Sequence, residues 1–92
     1  MRRNIKIKSK VRQLEHLNQF TIENDNGIYF QSYDSIIAHI DKNNNIFLDK
    51  EYWDYSKTTM KHLCLFLDIV WSKKNIQSKI DNDEYFLINL NK

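Results

Sequence analysis

The 92-residue chain contains no proline, one glycine and one cysteine. A single cysteine excludes an internal disulfide, and small secreted domains usually depend on disulfides, so the composition favours a reducing compartment. We therefore expect a cytoplasmic protein. No apolar run reaches the ~18 residues that a membrane-spanning helix needs, so we expect no membrane partner. With 41% hydrophobic residues, the chain is predicted to fold as a single domain over residues 1–92.

Sequence signatures of catalysis and of metal or cofactor binding are missing as well. There is no glycine-rich phosphate loop, no second cysteine, and no pair of histidines at metal-ligand spacing. Residues 41–45 begin like a calcium-binding loop, but Ile46 stands where that loop needs glycine and Tyr52 where it needs an acid. The sequence therefore predicts a protein that is not an enzyme and has no cofactor or metal.

Charge is distributed unevenly along the chain. The net charge is +2, yet the first twelve residues carry six basic residues and no acid, which leaves −4 for the remainder. The basic residues of this arm are Arg2, Arg3, Lys6, Lys8, Lys10 and Arg12. Residues 1–12 could form a nucleic-acid contact, since each cation can neutralise a phosphate, or an edge strand whose solvated charge prevents aggregation.

Hydrophobic periodicity predicts the fold class. Alternating apolar residues with turn clusters at 24–27 and 41–45 predict four antiparallel strands between residues 19 and 48. Two helical segments and a final strand at 85–90 follow. We therefore predict an α+β fold in the order β-β-β-β-α-α-β, with a four- to five-stranded antiparallel sheet and one main helix packed on it.

The main helix is predicted from Lys57 to Val70, with Asp54 or Ser56 as its cap, because the apolar period changes there to 3.6 residues. Leu63 and its neighbours on one face are assigned to the core. Further apolar residues lie on other faces of the same helix, which a helix on one side of a sheet does not require. They predict a homodimer or another tight contact through Leu65, Phe66 and Ile69.

A second candidate surface lies where the sheet meets the main helix. Residues 52–59 are rich in aromatic and hydroxyl side chains, and residues 23–54 carry seven acids against two lysines. Tyrosine and tryptophan dominate binding hot spots, although the same residues could instead plug and cap a structural corner. The residues predicted to bind a partner are Tyr52, Trp53, Tyr55, Asp34, Asp49, Glu51 and Asp54.

Two segments carry a resemblance to a known family. They are residues 29–38, YFQSYDSIIA, and residues 48–59, which contain LD and YWDYSKTT. In these segments, and more weakly at residues 84–91, the chain resembles an uncharacterised family of small proteins carried by phages and mobile elements. The resemblance covers nearly everything after residue 18, and the basic arm falls outside it.

The resemblance suggests a function by association. Small phage proteins without catalytic motifs commonly occlude host machinery, as anti-CRISPR proteins do. We therefore expect a non-enzymatic inhibitor that binds a host protein or ribonucleoprotein, such as a CRISPR effector, by protein–protein contact. The alternative is a nucleic-acid-binding accessory protein that acts through its basic arm.

Overall fold

A computed structural model describes residues 10–13 and 18–91. Five strands come first along the chain, two helices follow, and a sixth strand closes the fold. The strands are β1 (Lys10–Gln13), β2 (Gln19–Asn24), β3 (Gly27–Ser32), β4 (Ser35–Ile40), β5 (Ile46–Asp49) and β6 (Tyr85–Ile88), and the helices are α1 (Lys57–Leu67) and α2 (Lys73–Asp81).

The strands form one sheet in the order β1-β2-β3-β4-β5-β6. Neighbouring strands pair antiparallel from β1 to β5, whereas β5 and β6 pair parallel. The predicted α+β fold is therefore confirmed, with a sheet that is mostly antiparallel. Two details differ. The strand β1 extends the sheet to six strands, and the crossover through α1 and α2 brings β6 in parallel to β5.

The helix α1 begins and ends at polar residues. Ser56 is its N-cap, and the Ser56 side chain accepts a hydrogen bond from the Thr59 amide. At the other end Asp68 adopts a left-handed conformation, with φ 58° and ψ 46°, and its amide bonds the carbonyls of Cys64 and Leu65. The helix thus stops at Leu67, three residues before the predicted end. No helix among the described residues is long and apolar enough to cross a membrane.

The core lies between the helices and one face of the sheet. Phe30, Ala38 and Leu48 from the strands pack with Leu63 and Cys64 of α1 and with α2, and all five are at most 2% exposed. Leu63 thus lies in the core as predicted. The rings of Phe30 and Phe66 contact each other at 5.7 Å between centroids.

The opposite face of the sheet carries neither helix. Six residues lie side by side in the strand register, one from each strand, namely Val11, Ile22, Tyr29, His39, Phe47 and Phe86. None of the six belongs to the core cluster. We call this surface the open face.

The hairpin between β2 and β3 depends on Gly27. Its φ is +125°, which L-residues rarely adopt, and a β-carbon there would collide with the Ile40 carbonyl oxygen. We expect Gly27→Ala to lower the free energy of unfolding by about 1 to 3 kcal/mol, since both backbone strain and a displaced strand would result. Thermal unfolding would measure the change. Asp25→Ala in the same exposed turn is the control and should shift stability by no more than about 0.5 kcal/mol.

The turn between β4 and β5 is held by Asp41. Its carboxylate accepts hydrogen bonds from the Asn43 and Asn45 amides, each at 2.9 Å, and from the Asn45 side chain at 3.1 Å. These bonds, the Asn45 amide first, hold the pKa of Asp41 below its ordinary value. The asparagine-rich segment is therefore a hydrogen-bonded turn between strands.

Candidate recognition site

The two segments of the resemblance meet in space at one end of the sheet. The turn between β3 and β4 approaches the junction of β5 and α1. There the side-chain oxygens of Ser32 and Thr59 lie 2.9 Å apart in a buried hydrogen bond. Ser56 donates from its hydroxyl to Thr59 at 3.0 Å, so three hydroxyl groups join the turn to the first turn of α1. This network fixes the distance between the two segments.

A pocket of about 320 Å³ opens above this network. Its lining residues are Ser32, Tyr33, Asp34, Ser35, Ile37, Tyr52, Tyr55 and Thr59. We call it the tyrosine pocket, because three tyrosines line it, and Asp34 is the one charged side chain among its described lining residues. Its volume lies at the lower end of the ~300 to 1,000 Å³ typical of ligand sites, which suits a single side chain.

Tyr33 holds its place in the pocket through an unusual backbone. Its φ is 57°, and every other non-glycine residue with positive φ in the described ranges is Asn or Asp. Tight two-residue hairpin turns normally take glycine at such a position. The Tyr33 amide donates to the Asn18 carbonyl at 2.7 Å, and Gln31 donates to the Tyr33 carbonyl at 2.7 Å. Tyr33 is nevertheless 48% exposed, so its ring contributes little to the core.

Tyr52 and Tyr55 line the other side of the pocket. Their rings meet edge to face at 5.8 Å between centroids, an arrangement that aromatic pairs favour. Tyr52 is half-buried, while Tyr55 is 69% exposed. Asp54 beside them forms an ion pair with Lys73 at 3.3 Å, which ties the junction to the start of α2. Of the predicted partner-binding residues, the pocket thus brings together Asp34, Tyr52 and Tyr55.

Two of the predicted binding residues are buried instead. Trp53 is 5% exposed and belongs to the core cluster. Asp49 is 1% exposed, and its carboxylate accepts hydrogen bonds from the amides of Glu51, Tyr52 and Leu90 at 2.7 to 3.1 Å. Neither side chain is available to a partner, because each is enclosed by the chain itself. Glu51 is exposed but does not line the pocket.

The basic arm is described only in part. Lys10 and Arg12 lie in β1 at the edge of the sheet. Four further basic residues lie outside the described residues, namely Arg2, Arg3, Lys6 and Lys8.

Another basic surface, beside α1, was not predicted as a site. It is an open cleft of about 380 Å³, lined by Lys57, Thr58 and Lys61 of α1 and by Trp71.

No group of three or more His, Cys, Asp or Glu side chains among the described residues is placed to hold a metal ion. His62 is 4% exposed, and its Nδ1 lies 3.0 Å from the Thr58 carbonyl oxygen, to which it donates. His39 is half-buried on the open face, and its Nε2 donates to the Asn26 carbonyl at 2.9 Å. Both histidines therefore support the fold.

A family profile matches residues 4–84, which is most of the chain. The chain belongs to DUF8033, a family of unknown function. Neither the curated proteins nor the solved structures that were searched gave a match.

The DUF8033 match includes both segments that build the tyrosine pocket. It also begins at residue 4, so it includes Lys6, Lys8 and β1, and it ends just before β6. The basic arm from residue 4 onward is thus part of the region shared with DUF8033.

The sequence contains a signal for Tyr33 besides its hydrophobic periodicity. The apolar alternation between β3 and β4 is broken by Ser32-Tyr33-Asp34-Ser35, which contains no glycine. Two-residue hairpin turns favour types that need positive φ, which an ordinary side chain must then adopt. An aromatic residue in such a turn is a signal for a functional position that sequence reasoning missed.

Proposed function

We propose that this DUF8033 protein is a non-catalytic binding protein that inhibits a host protein or ribonucleoprotein by occupying its surface through the tyrosine pocket. The tyrosine pocket carries the proposal, because it concentrates exposed aromatic side chains and a carboxylate around a fixed cavity. Such aromatic clusters supply large, rigid contact area and dominate binding energies at interfaces. A CRISPR effector is one host complex that such an inhibitor could occlude.

The lining of the pocket selects for a cationic group. Tyrosine faces attract ammonium and guanidinium groups, and Asp34 can accept a charge-assisted hydrogen bond from the same ligand. Among the described residues, no basic side chain lines the pocket to repel a cation or to bind an anion. We therefore propose that the pocket receives a lysine or arginine side chain projecting from the partner.

The strained conformation of Tyr33 supports a role in binding. A non-glycine residue at positive φ costs of the order of 1 kcal/mol and persists where the surrounding structure enforces it. In Tyr33 the strain positions a ring that is about half exposed and lies outside the core cluster, so core packing does not offset the strain. A ring maintained at that cost has its use in contact with another molecule.

The Tyr33→Gly variant separates binding from folding. Glycine accepts the backbone conformation without strain, so we expect the free energy of unfolding to stay the same or to rise by up to about 1 kcal/mol. Loss of the ring should nevertheless weaken partner binding at least about tenfold. Thermal unfolding and titration of the purified partner would measure the two effects. A variant that binds normally, or one that is less stable than the parent, would contradict this role for Tyr33.

A specific observation also supports nucleic-acid binding as a second candidate function. Lys57 and Lys61 are four residues apart on α1, and Trp71 beside them is 53% exposed. A base could stack on the indole ring while the two lysines contact phosphates. The basic arm would then add affinity by long-range attraction that salt screens.

A pull-down of host-cell components with the tagged protein distinguishes the two candidates. The inhibitor proposal predicts one partner that survives nuclease treatment, is lost with Tyr55→Ala and is retained with Trp71→Ala. Nucleic-acid binding predicts the reverse for the two variants and a recovery that nuclease abolishes. The pair is well matched, because Tyr55 and Trp71 are both exposed aromatic residues whose loss should leave the fold intact.

A further inference from the structure

The open face carries a continuous row of aromatic rings. Tyr29 and His39 stack at 4.0 Å between centroids with an interplanar angle of 2°. His39 and Phe47 follow at 5.9 Å, and Phe47 and Phe86 at 5.7 Å. The Tyr29 and His39 rings thus stack face to face, and the Phe47 and Phe86 rings continue the row at wider spacing and with inclined planes.

The open face is apolar and almost free of charge. Val11 is 63% exposed, Phe86 41% and Ile88 39%, although all are large hydrophobic residues. The strand positions on this face include no lysine, arginine or glutamate, and their one carboxylate, Asp49, is buried. A partner that brought charged groups to this face would leave them unpaired, so the surface fits an apolar, uncharged counterpart.

The dimensions of the open face match a small protein interface. Six strands at ~4.8 Å spacing and four to six residues at ~3.3 Å give roughly 29 Å by 13 to 20 Å, or about 400 to 600 Å² before side-chain relief. Monomers rarely expose an apolar patch beyond this size, and stable interfaces bury about 800 Å² per partner. The open face is smaller than the surface that a stable interface buries, so we expect a dimer formed through it to associate weakly.

We propose that two copies of the chain associate through their open faces, so that the two sheets form a sandwich with the helices on the outside. A second copy supplies an apolar, charge-free surface of the same size. Facing sheets in sandwiches pack about 10 Å apart with interdigitated side chains. A two-fold axis through the row of aromatic rings would place the rings of each copy against those of the other. The proposal is independent of the tyrosine pocket.

This interface differs from the one predicted on α1. Phe66 and Ile69 are half-buried against the core of their own chain, so Leu65 alone of those three residues is exposed, at 61%. One leucine provides far less apolar area than the open face. Leu65 is therefore a matched control: it is exposed and apolar, and lies in the helical layer, away from the open face.

Sedimentation equilibrium of the parent, Phe86→Glu and Leu65→Glu proteins tests the proposal. Over about 1 to 300 µM, a range suited to an interface of this size, the parent and Leu65→Glu should convert from monomer to dimer. Phe86→Glu should raise the dimer dissociation constant at least about tenfold, because it buries an unpaired charge. Unchanged circular dichroism would show that the variant folds, and Val11→Glu at the opposite edge of the sheet replaces it if it does not.

Three outcomes of the sedimentation experiment would overturn the proposal. They are a parent that stays monomeric over the whole concentration range, Phe86→Glu and Val11→Glu variants that dimerise like the parent, and loss of dimerisation in Leu65→Glu alone. A fourth result concerns another occupant. If a labelled single-stranded thymidine oligonucleotide binds the parent and Phe86→Glu abolishes that binding, the open face belongs to nucleic acid and not to a second copy.

Discussion

Replacing Trp53 by alanine is expected to lower the free energy of unfolding by about 3 to 5 kcal/mol, a large part of the ~5 to 15 kcal/mol that stabilises a typical domain. The indole is 5% exposed and packs within the core cluster between sheet and helices. The surrounding strands and helix could close only part of the cavity that remains. Denaturant unfolding of the purified variant would measure the loss.

Tyr55→Ala is the control for Trp53→Ala. Tyr55 lies two residues further along the chain and is 69% exposed, so its truncation should change stability by no more than about 0.5 kcal/mol. If Trp53→Ala unfolds at the same denaturant concentration as Tyr55→Ala, the indole is not part of the core. Loss of partner binding in Trp53→Ala would reflect loss of folding, whereas the same loss in Tyr55→Ala would reflect loss of a contact.

Asp49→Ala is expected to cost about 3 to 5 kcal/mol as well. The buried carboxylate accepts hydrogen bonds from three backbone amides, those of Glu51, Tyr52 and Leu90. Hydrogen bonds to a charged group contribute about 1.5 to 3 kcal/mol each, and a buried amide left without a partner adds a desolvation penalty. The three effects are not additive, because the three amides share one carboxylate as their acceptor. Thermal unfolding would report the change.

Two further variants test the role assigned to Asp49. Asp49→Asn keeps one acceptor oxygen but turns an amide donor toward backbone donors, so we expect it to recover only part of the lost stability. Glu51→Ala removes an exposed carboxylate nearby and should have almost no effect. Equal stabilities for Asp49→Ala and Glu51→Ala would show that the hydrogen bonds of Asp49 do not stabilise the fold.

Strands β2 to β5 and the start of α1 were predictable, because short stretches of sequence carry the signals for them. Alternating apolar residues identified β2 to β5, and the hydroxyl of Ser56 before a period of 3.6 identified the start of α1. The end of α1 was wrong by three residues. Asp68 takes the left-handed position that glycine or asparagine usually occupies, so no helix stop signal was visible at that residue. Val70 and Trp71 consequently lie beyond the helix and are exposed.

The direction of β6 depends on the connection between the strands and not on their residues. Parallel neighbours need a long crossover, and the two helices between β5 and β6 provide one. The residues of β6 alone fit either direction, because Tyr85 to Ile88 is apolar throughout. The composition of β6 does not reveal that it pairs with β5. That pairing determines whether β6 lies parallel or antiparallel to its neighbour.

The candidate site was predictable in part. Residues 52–59 were identified by their aromatic density, but composition could not separate the buried Trp53 from the exposed Tyr55 two residues away. Tyr33 joins the site through a hydrogen bond between Ser32 and Thr59, which are 27 residues apart.

The open face also had a signal in the sequence. β5 and β6 contain uninterrupted apolar runs, a pattern typical of strands covered on both faces, whereas helices cover one face here.

The closing strand has a consequence for the order in which the chain folds. The hairpins from β2 to β5 join near neighbours and can form early, whereas Leu90 bonds Asp49 across 41 residues and Asn91 bonds Ile36 across 55. Contacts that close long loops carry a larger entropic cost and form slowly. We therefore expect β6 to dock after the helices have packed, so that the hydrogen-bonding edge of β5 stays unpaired until then. We expect this protein to be most prone to aggregate in the interval between formation of the hairpins from β2 to β5 and docking of β6.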